Sequence, residues 1–212
     1  RFDPRHTMAR DSIVAGEIGD LIHVSCRRNS TIAGARMYRG HTDTHVHLMI
    51  HDADFINWIA GSPPRTVFAR SREVLLKSWN MRDTIIALIG YESGLLACIE
   101  ACWILPANSP TGLDDKMEIV GTKGVLYLDS CDAGLHVVAE GRVEFPDSIH
   151  WPEVNGETGG TFYEELSHFV RCVVSGSRPI VGPEEALVAV EVVDAIERSL
   201  REHREVRMGA DA

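Results

Sequence analysis

The sequence predicts an α+β domain: one open, largely antiparallel β-sheet with helices packed on one face. Three observations predict it. Residues 66–120 are rich in β-branched and aromatic side chains broken by short turn signals, while helical periodicity is confined to the two ends of the chain. Connections that short favour antiparallel neighbours, because a parallel crossover needs about a dozen residues. The 212 residues are 44% hydrophobic and 25% charged, as in a soluble globular protein, and no shift of composition marks a linker. Residues 1–212 therefore read as one domain.

Taken in order, residues 4–15 have helical spacing and stop at Gly16, and residues 21–26 read as a strand. Residues 30–43 read as a polar loop carrying Arg36, Tyr38 and Arg39. A helix over 44–60 is closed by Gly61 and the breaker pair Pro63-Pro64. Strands follow over 66–75, 84–91, 95–104 and 116–120, with turns at Glu92-Ser93-Gly94 and Gly121-Thr122-Lys123-Gly124. Thr161 and Glu164 have the spacing of a capping box, and Phe162, Leu166, Phe169, Val170 and Val173 continue at helical intervals. Gly176 and Pro179 close that helix. Pro183-Glu184-Glu185 opens the last one, whose apolar stripe is Leu187, Val190, Val193, Ile196 and Leu200.

Composition excludes several classes of function. The net charge of −10, from 31 acidic and 21 basic residues, disfavours a phosphate backbone, so no nucleic-acid partner is expected. No apolar run reaches the roughly 18 residues that cross a bilayer, so no membrane partner is expected either. Cysteines 26, 98, 102, 131 and 172 form no CxxC pair and read as reduced thiols of a cytoplasmic chain. There is no G-x-G-x-x-G, no G-x-x-x-x-G-K-[ST] and no G-x-S-x-G. The chain opens at Arg1 without a methionine or signal peptide and reads as a fragment.

One segment is chemically dense. Four of the ten histidines fall within positions 41–51, and Asp43, Asp52 and Asp54 accompany them. On a helix, His47, His51 and Asp54 are spaced i, i+4, i+7 and share one stripe. Titratable groups in an otherwise apolar helix are costly to bury, so they border a cleft or pair with one another. Three readings stay open at this point. The residues could be satisfied interfacial side chains without chemistry. Asp43-Thr-His45-Val-His47 resembles the D-x-H-x-H metal motif of amidohydrolases, where imidazoles two apart on a strand share a metal.

The third reading takes in the whole chain. His51-Asp52-Ala53-Asp54 with Trp58 and Gly61 resembles the substrate helix of the Gfo/Idh/MocA family of NAD(P)-dependent sugar and inositol dehydrogenases. Arg1-Phe2-Asp3-Pro4 with Gly16-Glu17-Ile18-Gly19 is similar to the opening of that family's second domain. Residues 94–100 and 102–106 resemble its central strands, residues 118–124 its G-T-x-G turn, and residues 165–169 and 176–179 its C-terminal helical part.

The resemblance implies a C-terminal substrate and oligomerisation domain whose Rossmann partner, with the glycine fingerprint and an E-K-P lysine, is absent from this chain. It implies NAD or NADP in the full-length enzyme and none bound to this fragment, no metal, and a polyol or sugar substrate. His51 falls on the family's proton-transferring histidine, which suits an imidazole titrating near neutrality. Asp54 is implied to bond a substrate hydroxyl or orient that ring. His47 stands where inositol-dehydrogenase-like members carry aspartate, and an imidazole cannot accept two hydroxyls as a carboxylate does. Asp43 and His47 repeat the same spacing one turn earlier. Arg36 and Tyr38 are candidates for substrate contact. A homo-oligomer formed through the open sheet face is also implied, using either Trp79, Ile85, Ala87 and Ile89 or the opposite set Ile86 and Leu88. The alternatives are a non-catalytic binding or assembly domain, or a metal-dependent hydrolase through Asp43, His45 and His47.

Overall fold

The computed structural model describes residues 1–131 and 134–209. Its elements are α1 (Pro4–Val14), β1 (Leu21–Thr31), α2 (Ile32–Tyr38), α3 (Ile50–Ala60), β2 (Pro64–Arg72), β3 (Thr84–Tyr91), β4 (Leu96–Leu105), β5 (Leu113–Gly121), β6 (Val125–Asp129), two small hairpins, α4 (Thr161–Ser175), α5 (Pro183–Glu202) and a short closing strand. The hairpins pair β7 (Val137–Ala139) with β8 (Arg142–Glu144) and β9 (Glu153–Val154) with β10 (Glu157–Thr158); the closing strand is β11 (Val206–Arg207).

The seven-stranded sheet runs β11-β2-β3-β4-β1-β5-β6 and is antiparallel except between β1 and β4. The predicted class, an α+β domain on an open and largely antiparallel sheet, is the observed one. One face lies under α3 and α5, where Val24, Cys26, Val67, Ala69, Ile85, Ala87, Ile89, Ala97, Ile99, Met117 and Ile119 meet Ile56, Val192 and Ile196. The other face is bare of helices. Cross-strand register puts Phe68, Leu88, Cys98, Ser25, Glu118 and Tyr127 in one row of it. Of the two alternatives for this face, the structure selects Ile86 and Leu88, which are 48% and 54% exposed. Ile85, Ala87 and Ile89 are buried beneath the helices, and Trp79 sits in a helical turn packed against the core.

β5 starts at Leu113, not 116, and β6 to β11 were not expected; four further differences have a physical reason. β1 runs to Thr31, not 26, because its polar half is paired: Asn29 donates to Glu100 at 3.0 Å and Arg28 meets buried carboxylates. The expected loop over 30–43 contains α2, started by Thr31 and ended by Arg39 in the left-handed region at φ 36°. β2 ends at Arg72, not 75, since the Asp83 carboxylate captures the N–H groups of Val74, Leu75 and Leu76 at 2.8–2.9 Å. The Thr161–Glu164 capping box does not form, because Thr161 is already helical and Gly160 is the cap. A box-like bond forms instead at α5, where Glu185 accepts the Gly182 N–H at 2.8 Å. Among the described residues no helix is long and apolar enough to cross a membrane.

Candidate functional site

The predicted helix over 44–60 is present, with a π-helical turn at His45–Met49 leading into α3. Such turns insert a residue and re-aim side chains, and they concentrate at functional sites. Gly61, left-handed at φ 62°, ends the helix as its sequence position suggested. The core side of α3 carries Ala53, Ile56 and Ile59.

Beside this helix lies a cleft of about 720 Å³, within the ~300–1,000 Å³ usual for small-molecule sites. His47, His51 and Asp54 all line it, together with Arg28, Asp115, Arg1 and Glu165. The expected stripe of two imidazoles and a carboxylate is therefore assembled on one wall. His47 lies flat on the indole of Trp103, with ring centroids 4.7 Å apart and 9° between planes, and Tyr38 packs on it at 4.4 Å. Tyr38 also meets Trp103 at 5.4 Å, so the three rings form one cluster that restricts where the imidazole can point. Desolvation by these neighbours lowers the His47 pKa from its ordinary value.

His51 opens to solvent at the cleft, yet its pKa is also lowered. The protein mass around the ring is the main cause, and the positive charge of Arg28 adds to it. Both causes bias the ring toward its neutral form. Asp54 accepts from Arg1 Nε and an Arg1 terminal nitrogen at 2.9 and 2.8 Å, and the same guanidinium lies 5.0 Å from the Trp58 ring. Each carboxylate oxygen keeps a further lone pair for a hydroxyl donor.

Two lining residues, Arg28 and Asp115, form with the buried Asp52 an ion triad that sequence reading missed. Arg28 bonds Asp52 through Nε at 3.2 Å and a terminal nitrogen at 2.8 Å, and that nitrogen lies 2.9 Å from Asp115. Asp52 is 1% exposed. The two carboxylates outweigh burial and raise the Arg28 pKa, while burial raises the Asp115 pKa from its ordinary value against the pull of Arg28. The triad ties α3 to β1 and β5 through Asp52, the residue after His51. A signal for it existed: Arg28 continues the inward-facing positions of Val24 and Cys26 on β1, where a charge must find buried partners.

The other sequence candidates are placed elsewhere. Asp43 accepts the backbone N–H groups of Thr44 and Arg82, both at 2.8 Å, and pairs with the Arg82 guanidinium, which also meets Glu197 at 2.8 Å. Burial acts to raise its pKa, but His45 at 3.5 Å and these N–H donors hold it down at about 2. Asp43 thus anchors the start of the helix and is not among the cleft-lining residues. Tyr38 reaches the site only through the His47 ring, and Arg36 is exposed on α2 outside the cleft. Asp43, His45 and His47 do not converge, because the segment is helical and turns His47 away from the other two. Among the described residues no cluster of His, Cys, Asp or Glu could hold a metal ion.

The family described as "Oxidoreductase family, C-terminal alpha/beta domain" matches residues 10–208. The chain belongs to the Gfo/Idh/MocA oxidoreductase family. It is 26% identical over 212 residues to the scyllo-inositol 2-dehydrogenase (NAD(+)) of Bacillus subtilis (strain 168), covering 98% of this chain and 60% of the relative. It is 27% identical to the myo-inositol 2-dehydrogenase of Thermotoga maritima, with 98% and 62% covered. The fold matches myo-inositol 2-dehydrogenase from Lactobacillus plantarum at a TM-score of 0.79 and 18% identity, covering 99% of this chain and 63% of that one. It also matches scyllo-inositol dehydrogenase from Lactobacillus casei with bound NAD(H) and scyllo-inositol, at 0.77 and 20%, with 98% and 62% covered. The chain spans about 60% of the length of these relatives.

Proposed function

We propose that this domain is the substrate wall of an NAD(P)-dependent dehydrogenase acting on an inositol, sugar or related alcohol. The observation that carries the reading is the pairing of His47 and His51 on one cleft wall, with both imidazoles biased toward the neutral form. Oxidation of a secondary alcohol removes a hydride from carbon and a proton from oxygen. A neutral His51 accepts that proton as the carbonyl forms. Asp54 and His47 position neighbouring hydroxyls, the first as acceptor and the second as donor or acceptor according to tautomer.

A nicotinamide cofactor supplies the hydride acceptor when bound. The residues of this chain do not fit its pyrophosphate. The N-termini of α1, α4 and α5 carry Asp3, Glu164 and the pair Glu184-Glu185, so carboxylates already occupy the positive ends that would hold a phosphate, and α3 continues the π-helical turn without a free N-terminus. The dinucleotide would be held by residues outside this chain. The 212-residue protein alone is accordingly expected to give no NAD- or NADP-linked turnover and no calorimetric binding of NADH at micromolar concentration. A protein carrying both domains is expected to reduce NAD(P) with at least one of scyllo-inositol, myo-inositol or an aldose. Saturable NADH binding to the 212-residue chain, or no turnover with any polyol by the two-domain protein, would refute the reading.

The open sheet face is proposed as the surface of a homo-oligomer in a cytoplasmic protein. Ile86, Leu88, Leu96 and Tyr127 are all about half exposed or more on this helix-free face, which leaves its apolar side chains available to a second copy. Sedimentation is expected to give at least a dimer, and Leu88→Glu to shift it toward monomer. One species near the chain mass across a wide concentration range would contradict this.

A further inference from the structure

The polar lining of the cleft does not come from α3 alone. The loop between β8 and β9, residues 145–152, contributes Asp147 and His150 to the same space. This loop is built around the Asp147 carboxylate. Oδ1 accepts the Ile149 and His150 N–H groups at 3.0 and 2.9 Å, and Oδ2 accepts the Trp151 N–H at 3.2 Å. Burial acts to raise the Asp147 pKa, but these donors and the His150 ring outweigh it and lower the value. The ionised carboxylate can only accept hydrogen bonds.

That sets the tautomer of His150. Its Nδ1 lies 3.1 Å from Asp147 Oδ1, so this nitrogen carries the hydrogen and donates it. In the neutral ring Nε2 is then an acceptor, and among the described residues it has no protein partner. The backbone under the ring is pinned as well. The Ile149 and His150 carbonyls accept the Thr161 and Phe162 N–H groups at 2.9 and 3.4 Å, which ties the loop to the start of α4. Gly160 permits that approach: it is left-handed at φ 87°, and a side chain there would run into both carbonyl oxygens. Trp151 stacks on Phe162 with 4.5 Å between centroids and 7° between planes.

A polyol or sugar brings several hydroxyls into the cleft, and only one of them is oxidised. Each of the others gives up water on entering and needs a partner in its place. We infer that Asp147 and His150 form a positioning and specificity pair, in which His150 Nε2 accepts a hydrogen bond from a substrate hydroxyl other than the one oxidised. The inference rests on the dehydrogenase reading and adds to it a second hydroxyl that the substrate must carry.

Steady-state kinetics of the two-domain protein test it, using whichever of scyllo-inositol, myo-inositol or an aldose is oxidised, together with the mono-deoxy analogues of that compound. His150→Asn keeps a polar group near Nδ1 for Asp147 and removes the acceptor at Nε2. His150→Gln places an amide oxygen near the Nε2 position. His150→Asn is expected to raise KM about three- to tenfold, the worth of one neutral hydrogen bond, and to leave kcat within about twofold. His150→Gln is expected to recover most of that loss. In the wild type at least one deoxy analogue is expected to lose a similar factor in kcat/KM, and His150→Asn to abolish that analogue's penalty. Unchanged KM in both variants, or deoxy penalties all retained in His150→Asn, would overturn the inference and leave the dehydrogenase reading standing. Equal kcat/KM for the parent and all its deoxy analogues in the wild type, a result that needs no variant, would do the same. A collapse of kcat in His150→Asn would overturn it in favour of proton transfer by His150. A wild type that oxidises no polyol would overturn it together with the dehydrogenase reading.

Discussion

His51→Ala is expected to lower kcat of the two-domain dehydrogenase by about 10²- to 10⁴-fold, the usual contribution of a positioned general acid or base. His47→Ala is expected to act mainly on KM. Its ring is held by Trp103 and Tyr38 one turn away, where it positions substrate without taking the proton. Steady-state kinetics on the two variants separate these roles. The opposite ranking would make His47 the base.

The second large effect falls on stability. Arg28→Met is expected to cost about 3–5 kcal/mol, because it leaves Asp52 and Asp115 buried without their cation. For a chain of this size that corresponds to a fall in Tm of roughly 6–20 °C, at about 2–4 °C per kcal/mol. Arg28→Lys is expected to recover only part of the loss, since an ammonium cannot reproduce the bonds that Nε and the terminal nitrogen make together. Thermal denaturation followed by circular dichroism reads both. A change within about 0.5 kcal/mol, the scale of an ordinary surface substitution, would mean that the triad does not hold α3 to the sheet.

The sequence carried the fold class because its strongest signals are local. Gly61 and the proline pair end α3, β-branched runs mark β3 and β4, and Pro183 opens α5. It carried the cleft wall for the same reason: His47, His51 and Asp54 belong to one helix, and their common face follows from spacing. What it could not give was set by contacts between distant segments. β1 is longer than its apolar run because Arg28 finds Asp52 and Asp115, which lie 24 and 87 positions further along. α2 appears where polar residues read as loop, because Ala35 is buried against the core. Asp43 has the right spacing for a partner of His47, but Arg82 takes it. The stripe of α4 was legible as amphipathic, whereas its outward direction, with Phe162, Leu166, Phe169, Val170 and Val173 all exposed, was not, since periodicity fixes a face without saying what it meets.

The measurement that tests the central claim most directly is the pH dependence of kcat/KM for the two-domain protein and its His51→Asn variant. Burial and Arg28 lower the His51 pKa, so the neutral base is lost only as pH falls through a value below the ordinary 6.5. The wild type is expected to hold a plateau through neutrality and to decline on an acidic limb below pH 6.5. His51→Asn keeps a polar side chain and removes the titration, so that limb is expected to vanish along with most of the rate. An unchanged acidic limb in His51→Asn, with activity close to wild type, would contradict the assignment of His51 as the base.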